Sequence, residues 1–100
     1  MEKQHKGKNY QRKAFVIPHD AYKTAKAVVA GYERLQDQNK GAYFITAIES
    51  ALQIVPKEYR KGVMNKLVRD GAFPLDASRD TYYLWCSKYI REVAKKLDLV

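Results

Sequence analysis

One cysteine in 100 residues removes two routes at once. Cys86 cannot form a disulfide within the chain or contribute to a cysteine-based metal cage, and a lone thiol suits a reducing compartment. Histidine is almost as scarce. His5 stands in a polar basic stretch, and His19 sits beside Asp20 as a capping neighbour, not half of a catalytic dyad. The sequence has no glycine-rich phosphate loop, no serine nucleophile elbow and no His-Glu-x-x-His spacing. Its carboxylates are scattered. Glu33 and Asp37 form a weakly repelling i, i+4 pair, and Glu92 has Lys88 and Lys96 four residues to either side, ordinary surface pairing on a helix. Neither an active site nor a metal or cofactor is expected. Apolar runs fall short of membrane-spanning length, and the polar N-terminus lacks the core of a signal peptide, so a cytoplasmic chain is expected. Period-two alternation is missing except at the short Ala14–Ile17 run, and there are no repeats or low-complexity tracts.

What the sequence does have is positive charge at its ends. The formal charge is +8. Residues 1–13 hold five Lys/Arg against Glu2, residues 14–55 hold four of each sign, and residues 56–100 hold ten against six. Nucleic acid is the commonest partner for such a pattern, because neutralised phosphates release counterions, and double-stranded DNA is the partner expected here. An anionic membrane surface or an acidic protein would use the same charge.

Residues 1–17 read as a basic flexible arm ending in a short extended strap, with residues 18–100 as one helical domain. Lys8, Arg12 and Lys13 are the arm's candidate phosphate contacts, and the Ala14–Ile17 strap could pair with a second copy in a homodimer. A first helix is expected from Asp20, as N-cap, to Lys40, closed by Gly41. The second, Ala42–Val55, is apolar around more than half its circumference and is expected to be the most buried, with Phe44, Ile48, Ala51, Leu52 and Val55 central. Pro56 opens the third, with Tyr59, Val63, Met64, Leu67 and Val68 facing inward and Gly71 as the stop. Four helices with short loops make an all-α fold. Among the eight tyrosines, Tyr22, Tyr32, Tyr43, Tyr59 and Tyr89 are expected at the core rim.

The last quarter carries the most information. Asp76 and Ser78 are capping candidates for a helix running to Leu97. Tyr82, Cys86, Tyr89, Ile90, Val93 and Leu97 share one arc, and Cys86 at its centre reads as a small buried hydrophobe. Thr81, Leu84, Lys88, Arg91 and Lys95 share the opposite arc, with Trp85 and Lys96 on its flank. This layout predicts the second half of a helix-turn-helix, read as DNA-binding through Arg79, Thr81, Lys88, Arg91 and Lys95. Of the two tyrosines opening the helix, Tyr82 and Tyr83, one should anchor it to the third helix and the other aim its hydroxyl at a phosphate.

Ser78, Arg79, Thr81, Tyr82 and Tyr83, followed by Ala94-Lys95-Lys96-Leu97, resemble the C-terminal ends of small Gram-positive prophage regulators of the ArpU/RinA type. That resemblance covers the last quarter and implies a phage or mobile-element transcriptional regulator. The connector after Gly71 is longer than the usual three- to four-residue turn of that motif. A second function class stays open beside it, a helical protein-interaction module that inhibits or recruits a host protein, with Leu84 and Trp85 as partner contacts.

Overall fold

The computed structural model describes residues 17–39 and 41–100. The Ala14–Val16 part of the strap and the candidate contacts Lys8, Arg12 and Lys13 lie outside the described residues. Among those described the fold is all-α, with five α-helices: α1 (His19–Ala30), α2 (Tyr32–Asp37), α3 (Ala42–Ala51), α4 (Lys57–Arg69) and α5 (Arg79–Lys96). A single 3₁₀ turn, Leu52–Ile54, follows α3.

The expected first helix is therefore two. Gly31 breaks it, with φ −89° and ψ 9°, and its N–H still returns to the carbonyls of Ala27 and Val28. Glycine lacks the side-chain restraint that holds a helix interior in register, so the chain bends there. Nor does Asp20 cap α1. Pro18 occupies the cap position, and Asp20 sits in the first turn, where a carboxylate suits the positive end of the helix dipole. Gly41 opens α3 from the left-handed region at φ 70°, and a Cβ there would lie 2.9 Å from Leu35 Cδ2. The left-handed backbone favours glycine at that point, and a side chain there would also push the Leu35 methyl aside.

The core is centred on α5, not on the second predicted helix. Tyr82, Tyr89, Ile90, Val93 and Ala94 are completely buried, with Cys86 and Leu97 close to it. α1, α3 and α4 all pack against this one helix. From α3 and its 3₁₀ extension, Ala47, Ile48, Ala51 and Val55 enter the core. Tyr43 and Phe44 keep 56% and 39% of their surface, because α3 is covered only on the side facing its neighbours. The wide apolar arc predicted for this helix is real in sequence but only part of it finds a partner.

Two devices fix α5 at its ends. Ser78 Oγ accepts from Thr81 N–H at 3.1 Å, the expected N-cap. At the other end Asp98 adopts φ 59°, Asp98 N–H returns to Lys95 O and Leu99 N–H to Ala94 O, a Schellman closure. The Tyr43 hydroxyl adds a bond to Lys96 O at 3.2 Å, tying α3 to the end of α5.

Candidate nucleic-acid interface

The buried arc of α5 leaves its other side outward. Residues four, seven and eleven apart return to nearly the same angle on a helix, so Leu84, Lys88, Arg91 and Lys95 form a stripe about 16 Å long. Leu84 and Lys95 are exposed, while Lys88 and Arg91 are half-buried. The half-burial has visible causes. The Lys88 ammonium lies 5.0 Å over the Trp85 ring, and Arg91 donates to Ser87 Oγ at 2.9 Å. Both cations contact side chains of their own helix. Lys95 and Lys96 flank Glu92, at 3.9 and 3.8 Å.

Arg79 does not belong to this stripe. Nine residues separate it from Lys88, which puts it about half a turn round the axis. It is exposed, on the α4 side of the helix start. There Asp70, hydrogen-bonded to Lys66 at 3.0 Å, raises the pKa of the Lys66 ammonium, and Arg79 acts in the opposite direction, which places the two cations near each other. Thr81 is half-buried and its hydroxyl lies 2.9 Å from Ser78 Oγ, so it serves the cap. The five described candidates thus divide into a Lys88–Arg91–Lys95 stripe, a separate Arg79 and a capping Thr81.

Between these two basic groups runs a chain of rings across the α4–α5 contact. Trp85 stacks on Tyr59 with centroids 6.4 Å apart, and Tyr59 meets Tyr82 edge-on at 5.4 Å. Phe73 then stacks on Tyr82 and touches Tyr83 edge-on, each at 4.9 Å. Lys66 approaches the Phe73 ring at 5.9 Å. Trp85 is therefore half-buried as a packing residue beneath Lys88, whereas Leu84 keeps 49% of its surface. Tyr82 is the expected anchor to α4, and its hydroxyl donates to Asp76 at 2.7 Å. Asp76 is consequently not a cap. Tyr83 keeps 45% of its surface.

The hidden hydroxyl and thiol groups are passive. Asp76, followed by burial, pushes Tyr82 up to about 12, and burial pushes Cys86 up to about 11. Cys86 is thus a buried thiol and not an activated nucleophile. Tyr89, expected at the rim, is wholly buried, and burial raises its pKa as well. Among the described residues no cluster of His, Cys, Asp or Glu could hold a metal ion, and no helix is long and apolar enough to cross a membrane.

Three participants escaped the sequence reading. Phe73, in a connector, is central to the ring chain. Arg60 caps the 3₁₀ turn, donating from Nε to Val55 O at 2.7 Å. Gly62, inside α4, is buried against Tyr82 and Pro74. Only Gly62 left a sequence signal, since a glycine inside a helical pattern often marks a close approach.

No family model, curated protein or solved structure matches this chain.

Proposed function

We propose that the protein binds double-stranded DNA with the outward side of the helix from about Ser78 to Leu97, as a phage or mobile-element transcriptional regulator. The observation that carries this reading is the Leu84–Lys88–Arg91–Lys95 stripe on a helix whose other side is the domain core. Three cations spaced over two turns suit successive phosphates, and an element anchored this firmly offers a rigid docking surface. Arg79, half a turn from the stripe, reaches base edges or the adjacent backbone round the N-terminal end of the helix, while Thr81 supports the helix start. Lys8, Arg12 and Lys13 add phosphate contacts in the arm. A homodimer on two half-sites would suit such a single reading helix.

The exposure of Leu84 within the stripe favours a second reading, a protein-interaction module, because phosphate binding has no use for a large apolar side chain there. A salt series with duplex DNA separates the two. DNA binding predicts a steep linear fall of log K with log salt and preference for some sequences over others. Weak, indiscriminate binding that vanishes near physiological salt favours the interaction module.

A further inference from the structure

A cleft of about 580 Å³ opens between α2, α4 and the connector that carries Pro74. Tyr32, Met64, Val68 and Pro74 provide its apolar walls, and Lys61, Arg69 and Glu33 stand at its rim. We propose that this cleft binds a small amphipathic monoanion, an aromatic or branched alkyl group carrying one negative charge. The inference stands apart from DNA binding and does not rest on it.

Size, preorganisation and charge each support the assignment. The volume falls within the range of small-molecule sites, and Met64 and Val68 are only half-buried, so apolar side chains remain uncovered inside it. Its walls are held by bonds directed elsewhere. The Tyr32 hydroxyl donates to Glu49 at 2.5 Å and accepts from Gln36 at 3.1 Å, fixing the ring. Asn65 donates to Ala72 O at 3.3 Å, which holds the connector that carries Pro74. A ligand meeting fixed walls loses less to ordering them.

The rim selects the charge. Arg69 is engaged by Glu33, from Nε at 3.0 Å and from its terminal nitrogen too, so those two charges offset each other. Lys61 is exposed and meets no carboxylate within ion-pair distance among the described residues. One net positive charge beside an apolar floor complements one negative charge on an apolar body.

Anilinonaphthalene sulfonate, a fluorescent aromatic monoanion, tests the assignment when titrated into the folded 100-residue chain. Saturable one-to-one binding is expected. Lys61→Glu, on an exposed residue, should weaken it about fivefold to tenfold, and Lys61→Arg should restore it. Met64→Trp should fill the cleft and abolish binding while near-ultraviolet circular dichroism confirms the fold; should that variant unfold, the Lys61 pair decides. Phe44→Ser, on the exposed aromatic pair of α3, should leave binding unchanged. The proposal is overturned by an absence of saturable binding, by equal affinity in Lys61→Glu and the parent, or by loss of binding in Phe44→Ser.

Discussion

The phenolic hydroxyl of Tyr89 on α5 donates to the main-chain carbonyl of Ile48 on α3 at 2.8 Å, with both residues completely buried. This bond crosses the centre of the core and satisfies a polar tip that would otherwise lose its water unrewarded. Tyr89→Phe keeps the ring and removes only the bond. It should cost about 0.5–1.5 kcal/mol, read as a lower denaturant midpoint at unchanged slope. An unchanged midpoint would show that the bond contributes nothing.

Ile48 also tests where the core lies. Ile48→Ala should cost about 2–5 kcal/mol, as truncation of a fully buried aliphatic side chain does. Phe44→Ala, on the same helix but 39% exposed, should cost clearly less. Equal costs would mean that α3 is covered on both sides.

That contrast shows what could be read from the sequence. The span of α5, its cap at Ser78 and its buried arc from Tyr82 to Leu97 were legible because they are set within one continuous stretch, but the depth of Tyr89 and the role of Asp76 were not. The same wheel correctly turned Leu84, Lys88, Arg91 and Lys95 away from the core, but it also placed Arg79 half a turn from Lys88, which a list of basic residues conceals. Composition misjudged α3. Apolar residues such as Tyr43 and Phe44 count equally in a sequence whether or not a neighbour covers them. The bend at Gly31 left the apolar pattern intact on both sides, so the glycine itself was its only mark. The wall of the ring chain and the cleft depend on Phe73 and Pro74 meeting residues distant in sequence, which no local pattern reports.

Gly62 allows a prediction whose sign runs against helix propensity. Alanine is the better helix former by about 1 kcal/mol. A Cβ at Gly62, however, would press into the buried Tyr82 ring and lie 3.0 Å from Pro74 Cδ. Gly62→Ala should therefore destabilise the fold by about 1–3 kcal/mol. A gain in melting temperature would contradict the close packing of α4 on Tyr82.

Alkaline pH should destabilise the protein through groups whose neutral form the fold favours, Cys86 and Tyr89 by burial and Tyr82 first by its bond to Asp76. Cys86 rises from an ordinary 9.0 to about 11 and Tyr82 from 10.0 to about 12, with Tyr89 also raised. A raised folded pKa means that the folded state holds the proton more tightly. This contribution to stability is complete below the unfolded values and is lost as pH climbs through the folded ones. Stability should thus decline from about pH 9 to 12, and the most buried tyrosines should develop tyrosinate absorbance only together with loss of helical circular dichroism. Early titration of all eight tyrosines in a still-folded protein would contradict the burial of Tyr82 and Tyr89.

The most direct test of the DNA-binding proposal is the salt dependence of duplex-DNA affinity in the parent chain, in Arg79→Ala, and in a variant with Lys88, Arg91 and Lys95 all changed to Ala. The stripe variant should lose affinity for every sequence alike, and its log–log salt slope should shrink by about 2–3, close to one unit for each lost phosphate contact. Arg79→Ala should instead alter which sequence is preferred, at a cost of about 1–3 kcal/mol on the favoured site. Affinity and slope identical to the parent in both variants would show that α5 does not read DNA.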